Sequence, residues 1–77
     1  MVSAYILIQA QVGKGAEVGR ETAAIEGVSS AAVVTGPYDV IAFAEAGSID
    51  ELGKLVVAKI QAVDGVTRTL TCPVLHF

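Results

Sequence analysis

Cys72 and His76 are the side chains in this chain best suited to nucleophilic or metal chemistry, and each is the only one of its kind among 77 residues. They stand four apart in a segment that reads as a strand, on the same face. At about 3.3 Å per residue that spacing is roughly 13 Å, too far for a thiol and an imidazole to share a proton. Without a Cys-x-x-Cys pair or a second histidine, no metal-ligand set is legible. Cys72 therefore reads as a small hydrophobe and His76 as a strand residue. Lys14 lies between Gly13 and Gly15, but that stretch does not match a phosphate-binding loop. Catalytic residues, metals and cofactors are not expected.

Binding chemistry is better represented. Asp39 closes the run Gly36-Pro37-Tyr38-Asp39, where a carboxylate could pair with a ligand ammonium through a charge-assisted bond. Its plainer role would be to accept N–H bonds of a turn. Gly36 would let a ligand or neighbouring backbone approach, or simply supply a turn conformation. Tyr38 could stack on a ligand or pack at an interface. Thr69 and Thr71 sit two apart on one face of the last strand, so their hydroxyls could hold a carboxylate or amide; threonine is also an ordinary strand residue.

The elements that must position these groups follow from periodicity. Ala4 to Gln11 alternates as a strand, with Ala4, Ile6, Ile8 and Ala10 on one face and Tyr5, Leu7, Gln9 and Gln11 on the other. Val18, Thr22 and Ile25 at helical spacing predict a helix over Ala16–Ile25, with Gly27 at its end. Val28–Thr35 and Val40–Ala46 predict a hairpin around Gly36 to Asp39. Ser48 and Glu51 form a capping box for a second helix carrying Leu52, Leu55, Val56, Ile60 and Val63, closed by Asp64-Gly65. Thr67–Phe77 is the last strand, placed at an edge by Pro73, which has no N–H for a ladder. The segment Ala24 to Ser29 echoes Ala62 to Thr67 at an offset of 65 − 27 = 38 residues. Two βαβ halves predict an α+β fold: a ferredoxin-like βαββαβ sandwich, with a four-stranded antiparallel sheet and two helices on one face.

Residues 1–77 make one domain, and a core this small is marginal. Yet 53% of residues are apolar and the mean hydropathy is +0.65. The first and last strands are apolar on both faces, and helices can hide only one. A second copy should cover the open face, giving a dimer of dimeric α+β barrel type. Leu75 is taken as a position where an added acid would disrupt that contact. Five cations against eight acids, net charge −3, cannot build the basic face that nucleic acid requires. No uncharged stretch reaches the roughly 20 residues of a membrane span. The apolar N-terminus lacks the basic region of a signal peptide, the first cation being Lys14. With one cysteine and no intrachain disulfide, a cytoplasmic setting is expected.

The hairpin Val33 to Ile41, containing Gly36-Pro37-Tyr38-Asp39, resembles the Gly-x-Tyr-Asp turn of the Lrp/AsnC effector domain, or RAM domain. Gly65-Val66-Thr67-Arg68-Thr69-Leu70-Thr71 resembles that family's Gly-Val-x-x-Thr-x-Thr close, and Ala4 to Ile8 its opening strand. The resemblance covers the whole chain. It implies sheet-to-sheet dimers, which in that family often form octamers of four dimers. It also implies an amino acid or related metabolite bound between subunits, so that Gly36, Tyr38, Asp39, Thr69 and Thr71 become candidate ligand contacts. Members of the family also carry an N-terminal helix-turn-helix domain. Here Met1 stands at the first strand, so the expectation is a stand-alone sensing module that acts through a protein partner. The competing reading is a small dimeric α+β barrel enzyme, of monooxygenase or isomerase kind. Its polar candidates, Tyr5, Tyr38, Asp39, Glu45 and His76, do not converge in the sequence pattern. An ACT-like amino-acid-binding domain shares the topology, but the Gly36 to Asp39 turn favours the Lrp/AsnC type.

Overall fold

A computed structural model describes residues 1–76; Phe77, the last position of the predicted final strand, lies outside the described residues. The chain runs β1 (Val2–Ala10), α1 (Gly15–Ala23), β2 (Val28–Val33), β3 (Val40–Ala46), α2 (Ile49–Leu55), a π-helical continuation of α2 (Val56–Ile60) and β4 (Val66–Pro73). The strands form one sheet in the order β2-β3-β1-β4, with every pairing antiparallel. This is the ferredoxin-like α+β arrangement, with β4 and Pro73 at an edge as the sequence requires.

The alternation is realised residue by residue. Ala4, Ile6 and Ile8 of β1 and Val40, Ala42 and Ala44 of β3 are buried beneath Val18, Leu52, Val56 and Ile60 of the helices. The opposite face carries Tyr5 and Leu7 beside Phe43 and Ile41 on one side and Cys72 and Leu70 on the other. Nothing among the described residues covers it: Tyr5 is 49% and Leu70 46% exposed. Tyr5 and Phe43 pack ring to ring at 4.9 Å. Leu75 does not belong to this face. β4 ends at Pro73, and Leu75 projects from the segment beyond it, 73% exposed.

The 38-residue echo is structural. Gly27 and Gly65 both take positive φ, +97° and +98°, a conformation that side chains with a Cβ resist. The Gly27 carbonyl accepts the Glu45 N–H at 2.9 Å, and the Gly65 carbonyl accepts the Gln11 N–H at 2.8 Å. Each loop tucks under the other half's helix. A Cβ on Gly27 would lie 3.1 Å from Leu55, and one on Gly65 3.2 Å from both Lys14 and Val18.

Element ends differ from the sequence reading in physically simple ways. α1 stops at Ala23 because the chain leaves the helix through a turn in which the Ile25 N–H bonds the Thr22 carbonyl. The capping box forms with one change. Ser48 Oγ accepts the Glu51 N–H at 3.2 Å, but the Glu51 carboxylate accepts from the Gly47 N–H rather than from Ser48. The second helix is regular only to Leu55. Its continuation is π-helical, with the Gln61 N–H bonded to the Val56 carbonyl five residues back. Helical spacing in a sequence does not reveal such a widened turn.

Candidate ligand-binding site

The β2–β3 connection is tied to β1. The Asp39 N–H donates to the Ile8 carbonyl and the Asp39 carbonyl accepts from Val34 N–H, both at 2.9 Å. The Asp39 carboxylate Oδ2 accepts the Ala10 N–H at 2.7 Å, and Gln9 Nε2 donates to the Pro37 carbonyl at 2.9 Å. Asp39 thus anchors the turn through a neighbouring strand, a variant of its plainer role. Its Cβ lies under the start of α1, 3.7 Å from where a Cβ on Gly15 would stand. Asp39 and Tyr38 are half-buried. Gly36 has φ +133° and open space around it, with nothing within 4 Å of an added Cβ.

Thr69 and Thr71 lie elsewhere. Opposite Ile8 and Ile6 in the register, they belong to the helix side of the sheet, yet no helix covers them. α1 packs on β2 and β3, and α2 on β3 and β1, leaving that side of β4 bare. The result is a cleft of about 320 Å³ between α2 with its π-helical segment and β4. Ile49, Leu52, Val56 and Val57 make its apolar wall, Gly53 opens it, and Gln61, Thr69 and Thr71 make its polar side. Gln61 Nε2 donates to Thr69 Oγ1 at 2.9 Å, which leaves the Thr69 hydroxyl proton to be given outward. An adjoining pocket of about 350 Å³ shares Gln61 and Thr69 and adds Thr67 and Arg68.

The five candidate residues therefore fall into two groups that one chain does not bring together. Val40 pairs with Ile8 and Thr71 with Ile6, so Asp39 and Thr71 are two strands apart and three residues out of step. Strand geometry makes that roughly 14 Å, beyond the span from ammonium to carboxylate of one α-amino acid. Gln61, Gly53 and Val57 were not singled out in the sequence. The available signal was the 38-residue offset, which carries Gly19 to Val57, Ala31 to Thr69 and Val33 to Thr71.

Of the enzyme alternative's polar candidates, Tyr5 and Glu45 share the open sheet face, while Tyr38 and Asp39 stand at the β2–β3 connection. Cys72 is on the open face beside Tyr5, Glu45 accepts a bond from Ser29 Oγ at 3.1 Å, and His76 lies past the end of β4. Among the described residues, no group of three or more His, Cys, Asp or Glu side chains could hold a metal ion. No helix among them is long and apolar enough to cross a membrane.

Residues 3–76 match the family model of the Lrp/AsnC ligand binding domain. An uncharacterised HTH-type transcriptional regulator of Pyrococcus furiosus is 32% identical over 72 residues, covering 90% of this chain and 48% of the relative. The chain thus spans about half the length of the curated relatives it matches. A crystal structure from Thermus thermophilus superposes with a TM-score of 0.92 at 30% identity, covering 100% of this chain and 96% of that one. Escherichia coli AsnC superposes with a TM-score of 0.89 at 26% identity, covering 99% of this chain and 52% of that one.

Proposed function

The chain belongs to the Lrp/AsnC ligand-binding domain family, and from that premise we propose that it is a non-enzymatic, cytoplasmic sensing module. It binds a free amino acid between copies of itself and passes the signal on through assembly or a protein partner. The supporting observation is the division of the candidate contacts. Donor hydroxyls at Thr69 and Thr71 line an uncovered cleft, while by strand geometry the anionic Asp39 sits roughly 10 Å from Thr69 and roughly 14 Å from Thr71. A zwitterion needs both an anionic partner for its ammonium and donors for its carboxylate. Two copies supply them together, the turn from one and the cleft from the other.

The uncovered face of Tyr5, Leu7, Ile41, Phe43 and Leu70 supports the first level of that assembly, a dimer joined sheet to sheet. The net charge of −3 leaves DNA contact to other parts or partners. The test is a thermal-shift screen of the protein amino acids, with the mass followed by light scattering. A ligand at 100 times its Kd should add about 2.7 kcal/mol of apparent stability. A chain that is monomeric and shifted by none of them would refute the proposal.

A further inference from the structure

The outer side of α2 carries an apolar ridge that the core does not use. Ile49, Gly53 and Val57 follow one another at intervals of four, beside the buried Leu52 and Val56. Ile49 is 57% and Val57 64% exposed, and a Cβ on Gly53 would have nothing within 4 Å. A glycine inside a helix costs about 1 kcal/mol relative to alanine, and no packing among the described residues requires one here. Next to this ridge runs a second, made by Asp50, Lys54 and Ala58. Between the two lies a hollow of about 500 Å³ lined by Asp50, Gly53, Lys54, Val57 and Ala58. Among the described residues the ion pair that forms joins Lys14 to Glu17. Asp50 and Lys54 therefore stand one turn apart with opposite charges and no ionic partner.

A ridge with a four-residue repeat beside a groove of the same pitch fits another helix, because in the commonest class of helix packing such ridges fill each other's grooves. This groove also fits a copy of itself. With a two-fold axis through Gly53 and the helices antiparallel, Gly53 meets the partner's Gly53, where the missing side chains let the backbones approach, and Ile49 meets the partner's Val57. The axis keeps each residue on its own side of the contact, so Lys54 of each copy stands over the partner's Asp50. A parallel pair would leave both charges unmatched. We propose that α2 is an interface to a second copy of this chain, built on the Ile49-Gly53-Val57 ridge and fixed in direction by two Asp50–Lys54 ion pairs. α2 packs on the sheet face opposite Tyr5, Leu7 and Phe43, so this contact and the sheet-to-sheet dimer form together and join dimers into a larger assembly. The inference goes beyond the proposed sensing role and needs no ligand.

Charge reversal tests the contact in the whole chain, by sedimentation equilibrium at low salt, where exposed charges are least screened. Lys54→Asp sets acid against acid across the two-fold, and Asp50→Lys sets base against base. Each variant alone should weaken the α2 contact by roughly ten-fold or more and settle at the mass of the sheet-to-sheet dimer. Circular dichroism should be unchanged, because both positions are exposed. An equal mixture of the two variants should regain the wild-type mass, since a helix with two acids then meets a helix with two bases. That recovery is not available to a variant that has merely lost its fold. If both reversals keep the wild-type mass, or if the mixture stays as small as its components, the inference falls while the sheet-to-sheet dimer and amino-acid sensing stand. If the wild type is no larger than a dimer that Leu70→Asp dissolves, the α2 contact is again refuted alone. A monomeric wild type refutes this contact and the sheet-to-sheet dimer together.

Discussion

Thr22 sits on the buried face of α1, fully excluded from solvent, and its hydroxyl oxygen has no hydrogen-bond partner among the described residues. A buried hydroxyl left unpaired costs about 1–3 kcal/mol. Its counterpart 38 residues on is Ile60, also fully buried and part of the core, so the environment suits an aliphatic side chain. Thr22→Val replaces the hydroxyl by a methyl of similar shape, and the two residues have similar helix propensity. The expected gain is about 1–2 kcal/mol, the desolvation penalty removed. For a domain of this size each kcal/mol moves Tm by about 4–8 °C. Differential scanning calorimetry at one fixed protomer concentration is the assay, because assembly makes Tm concentration-dependent. A lower Tm for Thr22→Val would refute the reasoning. It would mean that the hydroxyl is bonded in solution, either back to the Val18 carbonyl one turn earlier or to a trapped water.

Gly65→Ala should cost more than Gly36→Ala, each measured by urea unfolding. Both force a Cβ into positive φ at about 1–3 kcal/mol, but only Gly65 also meets Lys14 and Val18, at 3.2 Å. Leu70→Asp places a charge among Leu7 and Ile41 on the uncovered face. It should shift sedimentation toward monomer while leaving circular dichroism unchanged; an unaltered oligomer would mean that the sheets do not meet there. A gel shift at physiological salt with the pure chain should show no DNA complex, since five scattered cations displace few counterions. A complex with a steep salt dependence would overturn that expectation.

Much of the fold was legible because the sheet writes its own pattern. β3 over Val40–Ala46, the two faces of β1 and the edge position of β4 all follow from period two and from one proline. The repeated acid-Gly-Val marked two places where the backbone needs positive φ. What was not legible depends on how far each helix reaches across the sheet. Nothing local in Thr69 or Thr71 says that α2 stops short of β4, and nothing in Val56–Ile60 announces a widened turn. Leu75 was assigned to the open face, but the register that puts Leu70 and Cys72 there gives Leu75 the opposite parity, even though the Val74 N–H still bonds the Ser3 carbonyl at 2.9 Å. The Asp39 carboxylate was expected either on a ligand or on its own turn, and its bond to Ala10 of β1 comes from tertiary approach that spacing cannot encode.

If the turn of one copy and the cleft of another make one site, damage to the two halves should be separable by mixing. Asp39→Asn keeps shape and removes charge, and Thr71→Val removes a hydroxyl from the cleft wall. In an assembly of either variant alone, every site lacks one contact. The loss of a charge-assisted bond is about 1.5–3 kcal/mol, or roughly ten- to a hundred-fold in Kd. In an equal mixture unfolded and refolded together, some sites draw their turn from a Thr71→Val chain and their cleft from an Asp39→Asn chain. Both contributions are then wild type, and random assembly around shared interfaces makes this about a quarter of all sites. Isothermal titration of the refolded mixture, with the amino acid found by screening, should therefore show a minor class of sites at wild-type affinity, absent from either variant alone. A site contained within one chain gives a different result, because no chain in the mixture carries both groups. Loss of the high-affinity class in the mixture would place Asp39 and Thr71 in separate roles, with Asp39 reduced to holding the turn against Ala10.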